Sequence, residues 1–178
     1  MPAKQDAVAL LKADHRKVED LFEKFEKARD AARKQSLATQ ICTELTIHAT
    51  IEEEILYPAC KDAVEDDLLD ESYVEHDGAK VLIAEISAGS PDDEFYDAKV
   101  KVLSEMIKHH VKEEERPGEG LFAQLRKADL DLVAMGERLK ARKEQLAKEL
   151  KGGDLPPPET RSFTGHELVQ SKPLEARA

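Results

Sequence analysis

The sequence predicts an all-α protein: an up-down-up-down four-helix bundle with an additional C-terminal helix and an irregular tail. Three observations carry that prediction. Of 178 residues only eight are Gly and eight are Pro, aromatics make up 4% and Trp is absent, while the strong helix formers Ala, Leu, Glu and Lys abound. Apolar residues recur in alternating steps of three and four over long windows. Helix breakers concentrate in a few short stretches, "AGSPDD", "RPGEG" and the "GGDLPPP" that opens the tail.

The first helix is expected from Asp6, an N-cap by residue type, to about Lys34, with Val8, Leu11, Val18, Phe22 and Phe25 on its apolar side. The second starts near Ser36 and carries Leu37, Ile41, Leu45, Ile55 and Leu56, with Pro58 as its end or a kink. The third covers Asp66 to Ala88, with Leu69, Tyr73, Ile83 and Ile86. Asp92 or Asp93 in the loop after it caps the fourth, which runs to about Arg116. A later helix spans about Asp129 to Lys151. Residues 1–116 thus form the bundle, 117–151 a connecting segment and C-terminal helix, and 152–178 a Pro-rich tail, with Phe163 and Leu168 as its anchors if it docks. The later helix reads as a charged cover over one end of the bundle, with a partner or dimer surface as the alternative.

Charge and cysteine usage bound the function. A net charge of −11 argues against nucleic-acid binding, which needs a basic stripe. No apolar run reaches the roughly 20 residues of a membrane span. The start, "MPAKQDAVALLKADH", has no basic, apolar and small-residue succession of a secretory signal, so a cytoplasmic location is the default expectation. Cys42 and Cys60 lie 18 positions apart on one predicted helix, about 27 Å along its axis, too far to bond to each other. Reduced thiols are the expectation; an intermolecular disulfide or a redox role is the alternative.

In heptad steps, the first helix reads Val8, Leu11, His15, Val18, Phe22, Phe25 and the second Ile41, Leu45, His48, Glu52, Ile55. The third reads Leu69, Tyr73, His76, Ala79, Ile83, Ile86 and the fourth Val100, Leu103, Ile107, His110, Glu114. Each helix places a histidine on its apolar seam, and two add a glutamate one turn later. Buried carboxylates are costly unless paired or bound to a cation. A dinuclear metal site gives all six residues one reason to be inside: imidazoles as neutral nitrogen donors and carboxylates that bridge. His109 with Glu113 is an equally good i, i+4 pair on the fourth helix; His110 with Glu114 is favoured because it continues the apolar stripe. Glu53 and Glu54 are expected to face outward, with Glu53 as a reserve carboxylate. Tyr57 and Tyr73 lie near the seam, as core packing or as donors or ligands to the centre. His166 is expected in solvent.

The stretches "LLKADHRKVEDLF", "HATIEEEILYPA", "YVEHDGAKVLI" and "IKHHVKEEE" resemble the hemerythrin-like family of HHE cation-binding domains, over about residues 8–116. The run from His48 to Pro58, a histidine, three glutamates and an aromatic–Pro pair, is its most specific part. The resemblance implies a four-helix bundle around a non-haem di-iron centre with an oxo, hydroxo or water bridge. It implies His15, His48, Glu52, His76, His110 and Glu114 as ligands, with Glu52 and Glu114 bridging two iron ions. The oxygen carriers of the family have an H-x-x-x-H pair on the third helix; here His76 is followed at that spacing by Lys80. The pattern is closer to bacterial HHE proteins that handle oxygen, nitric oxide or peroxide or take part in iron repair. This sequence has "RPGEGLFAQL" where the family has an aromatic–Pro pair after the fourth helix, and no counterpart of the cysteine-bearing amino-terminal domain of the iron-repair members. The functional expectation is a di-iron protein that binds or reduces O₂, NO or peroxide with an electron donor, in stress response or in oxygen and iron sensing. A sensor or metal-binding module without turnover is the alternative. No nucleic acid or membrane is expected as a partner.

Overall fold

The computed structural model describes residues 5–171. Helix α1 (Ala7–Lys27) starts where the Asp6 carboxylate accepts the Ala9 N–H at 2.8 Å. It ends earlier than the sequence suggests. Ala28 is extended, and Asp30 accepts the Arg33 N–H at 2.8 Å, so α2 (Ala31–Ile51) begins at Ala31. The stretch "KARDAARK" is rich in helix formers, and the cap hides in a run of charge.

The second helix continues through a wide π turn, Glu52–Leu56, into a short α3 (Tyr57–Cys60). The Tyr57 N–H donates to Glu52 O, five residues back. Pro58 supplies no N–H to the ladder, so the backbone slips here rather than stopping. The slip turns both Leu56 and Tyr57 into the core. Helix α4 (Asp66–Ala88) matches its expected bounds. Phe95, not an aspartate, sits at the N-cap of α5 (Tyr96–Glu114); Asp93 instead closes the preceding loop by accepting the Ser90 N–H at 2.8 Å. A short α6 (Leu121–Leu125) lies in the connecting segment. Helix α7 (Leu132–Glu149) starts at Asp131, whose carboxylate accepts the N–H groups of Val133 and Ala134.

Helix α1 packs on α2, α2 on α4, α4 on α5 and α5 on α1, closing a four-helix bundle. Two apolar clusters fill it. Leu11, Ile51, Leu56, Leu121 and Leu125 belong to one, and Phe22, Ile41, Ile86 and Leu103 to the other. Each such side chain contributes about 1.5–3 kcal/mol through burial. Helix α7 lies along the side of the bundle, against α1, α2 and the π turn, rather than over one end. Its apolar residues Met135, Leu139 and Leu146 are buried there. Cys42 and Cys60 are buried free thiols. Burial pushes them up, to about 11 and about 12 respectively, with Glu52 and Glu114 adding to the rise at Cys60. Among the described residues, no helix is long and apolar enough to cross a membrane.

Candidate metal centre

Between the two apolar clusters lies a polar layer. His15, His48, Glu52, His76, His110 and Glu114 all have relative exposures of 7% or less. Each helix turns its seam residues inward, and the i, i+4 pairs of α2 and α5 stack on the same face. His110 and Glu114 are the inward pair. His109 is exposed, 3.5 Å from Glu75, and Glu113 lies at the periphery.

All four imidazoles aim Nε2 at the centre. His15 Nε2 lies 3.2 Å from His48 Nε2, and His76 Nε2 lies 3.3 Å from His110 Nε2. Two carboxylates join these pairs. Glu52 Oε2 is 3.3 Å from His48 Nε2 and 3.4 Å from His76 Nε2. Glu114 offers Oε2 to His15 at 3.3 Å and Oε1 to His110 at 3.6 Å. The donor atoms thus form two clusters of metal-binding size, His15–His48–Glu52–Glu114 and Glu52–His76–His110, which share Glu52.

Each imidazole meets a second carboxylate at Nδ1. Glu115 faces His15 at 2.8 Å, Glu53 faces His76 at 3.0 Å, Glu75 faces His110 at 2.7 Å, and Asp14 faces His48 at 3.7 Å. Sequence reasoning gave none of the four this role and named only Glu53 as a reserve carboxylate. Each stands next in the chain to an inward residue, yet serves the histidine of a neighbouring helix. Adjacent positions on a helix diverge by about 100°, so the neighbour of an inward residue points sideways. That offset is the signal that would have found them. Glu53 therefore does not face outward as the sequence suggested. It orients His76 and pairs with Lys80 at 2.8 Å. Glu54 does turn away and takes a two-point ion pair from Arg142 of α7, at 2.6 and 2.9 Å.

The electrostatics call for positive charge at the centre. A carboxylate at Nδ1 favours a proton there, leaving Nε2 with a lone pair that faces a second lone pair and a carboxylate oxygen. Burial alone would lower His15, but Glu114, Glu52 and Glu115 overcome it and raise it to about 9. His76 rises to about 9 in the same way, through Glu52 and Glu53 against burial. Burial would raise Glu114, yet His110, His15 and His48 hold it down at about 2. Among the described residues, Glu52 Oε1, Glu114 Oε2 and His48 Nδ1 are buried without a hydrogen-bond partner. Unmet, each such group costs about 1–3 kcal/mol. Neutral nitrogen donors, bridging carboxylates and unpartnered oxygens fit a pair of cations.

The Tyr57 hydroxyl, fully buried, lies 3.2 Å from His76 Nε2, 3.4 Å from Glu52 Oε2 and 3.5 Å from Glu114 Oε1. Burial, then the charges of Glu52 and Glu114, drive it well above the ordinary phenol value, so it keeps its proton. Tyr73 lies further out, edge-on to Tyr57 with centroids 5.2 Å apart. Phe122 of α6 stacks on His15, centroids 5.7 Å apart, so the segment outside the predicted bundle caps the layer. The tail is tied down by Leu155, which packs against both apolar clusters, and by polar contacts, rather than by Phe163 and Leu168. The buried Asp77 carboxylate accepts the Arg161 and Ser162 N–H groups and the Ser162 hydroxyl at 2.6–2.8 Å. Phe163, Leu168 and His166 are exposed.

The crystal structure of a hemerythrin HHE cation-binding domain-containing protein from Mycobacterium kansasii superposes with a TM-score of 0.70 at 24% identity, covering 83% of this chain and 90% of that one, and so shares the fold. A DNA nickase from Nostoc sp. (strain PCC 7120) is 33% identical over 117 residues, which are 66% of this chain and 32% of that protein. This chain spans about a third of that relative's length. The model of the hemerythrin HHE cation-binding domain matches residues 6–125. With its bundle and its layer of inward histidines and glutamates, the chain belongs to the hemerythrin HHE cation-binding domain family.

Proposed function

We propose that the chain is a non-haem di-iron protein that binds or reduces a small ligand, O₂, NO or peroxide, in stress response or in oxygen and iron sensing. His15, His48, His76 and His110 would hold the two ions, with Glu52 and Glu114 between them. The observation that carries this reading is the convergence of four Nε2 atoms and two carboxylates into two clusters joined by Glu52. Two bound iron ions supply reversible one-electron chemistry and an open position for a small ligand.

The chain's own groups set the conditions. Glu115, Glu53 and Glu75 fix the ring orientation of His15, His76 and His110 and keep their inward nitrogens basic, while Asp14 places a charge near His48. The Tyr57 hydroxyl holds a proton beside Glu52 and His76. Apolar clusters flank the layer on either side. The nickase activity named for the Nostoc protein is not carried over, since the match covers only 32% of that protein.

The test is the metal content of freshly purified protein, with visible spectra before and after dithionite. About two irons per chain and a charge-transfer band that bleaches on reduction are expected. Zinc, or no metal and no band after anaerobic iron addition, sinks the reading. With iron in place, repeated consumption of peroxide or NO in the presence of a reductant marks an enzyme. Stoichiometric binding without turnover marks a sensor. His48→Ala and Glu114→Ala should each remove most of the metal, and full retention in both overturns the ligand set.

A further inference from the structure

A diatomic or a peroxide needs far less room than the structure provides beside the polar layer. A cavity of about 420 Å³ opens there, inside the roughly 300–1,000 Å³ range of sites for small organic molecules. Its floor is formed by all four inward histidines, His15, His48, His76 and His110. Its walls are apolar, with Val18, Leu45, Ile83 and Ile107 from four helices. Leu155 and the prolines at 156–158 close the outer side.

The lysine and arginine side chains at the rim already have partners. Lys80 donates to Glu53 at 2.9 Å, to Asp77 at 3.4 Å and to the Glu159 carbonyl at 3.0 Å. Arg142 is held by both oxygens of Glu54. Lys143 pairs with Asp14. The rim therefore offers an anion no unengaged lysine or arginine. The roof is fixed by the tail's hydrogen bonds to Asp77 and by the Arg161 guanidinium, 4.8 Å over the Tyr73 ring.

We propose that this cavity binds an uncharged, mainly apolar organic molecule of about ten to fifteen non-hydrogen atoms, at a water's ~30 Å³ each. Its single hydroxyl or hydroperoxyl end seats against the histidine floor, the polar part of the wall. Binding rests on the cavity alone; any reaction of the bound molecule rests on the di-iron reading above.

The experiment titrates the full chain, as purified and with its metal content measured, with 1-decanol and separately with decanoate. Calorimetry reads affinity, and methyl NMR of Ile83, Ile107 and Leu155 reads location. Saturable decanol binding is expected, with shifts at those methyls and at least tenfold weaker binding of decanoate. Ala84→Phe and Thr46→Phe fill the cavity from α4 and α2 without replacing a histidine, and each should weaken decanol at least tenfold without changing metal content. No saturable decanol binding, equal affinity for decanoate, or methyl shifts confined to other sites in the unsubstituted chain overturns the proposal, whether or not the variants fold. Decanol binding to a chain that holds no metal supports the cavity and removes the di-iron reading. Iron without decanol binding does the reverse.

Discussion

Glu115 sits at the end of α5, where its carboxylate meets His15 Nδ1 at 2.8 Å and accepts from Arg16 at 2.7 Å. Replacing it with Gln leaves the six inward residues untouched and removes the charge behind one ring. Metal affinity should fall about 10–100-fold, read by competition with a chromophoric chelator; an unchanged affinity removes Glu115 from the site. Protons compete with metal at the same histidines. In the metal-free chain, the raised His15 and His76 contribute stability that is fully present below about 6.5 and is lost as pH rises through about 9. Glu114 works in the opposite sense, its contribution present above 4.5 and lost as pH falls through about 2. Metal must displace the histidine protons, so its affinity should climb between pH 6.5 and 9. Zinc titrations across that range check this, and a flat profile contradicts it. The inward residues were legible in the sequence because a histidine in an apolar seam breaks a simple pattern. The outer carboxylates were not, because a sideways glutamate looks like any solvated one.

The elements differ in how plainly they announce themselves. Helix α4 is bounded by loop residues and matches its expected limits at both ends. The break between α1 and α2 was misplaced because Asp30 acts through one hydrogen bond amid helix-forming neighbours. Asp30→Ala should cost about 1 kcal/mol, visible as a lower denaturation midpoint with unchanged slope. Helix α7 depends on a close approach. A Cβ at Gly136 would lie 2.6 Å from the Gln5 carbonyl oxygen and 2.8 Å from the Ala7 nitrogen. Gly136→Ala should therefore destabilise the protein by about 1–3 kcal/mol despite Ala's better helix propensity. A gain in thermal stability would show that α7 does not pack there. The π turn was only half visible: Pro58 signalled a disturbance, and its form emerged from where Tyr57 and Glu52 both have to point.

Across the whole molecule, the pattern of apolar seams was enough to place the bundle, whereas the side-on docking of α7 and the tail depends on contacts between distant residues. Metal removal should destabilise the entire fold, since it leaves the buried layer with unpaired charge. A chelator should lower the melting temperature of the metal-loaded protein, and an unchanged value argues that the layer is satisfied without metal. The layer itself is built twice. Asp14–His15 is followed by His48-x-x-x-Glu52–Glu53, and Glu75–His76 by His110-x-x-x-Glu114–Glu115. The paired histidines are 33 positions apart in the first half and 34 in the second. The centre is thus a near-repeat with approximate two-fold character, and each half lends one carboxylate to both. Tyr57 breaks the equivalence, for it contacts His76, while the position as far beyond Glu114 holds the exposed Glu119. The phenol adds to the inequality of two positions that already differ in donor number, so metal should load in two resolvable steps, and Tyr57→Phe should draw those steps together.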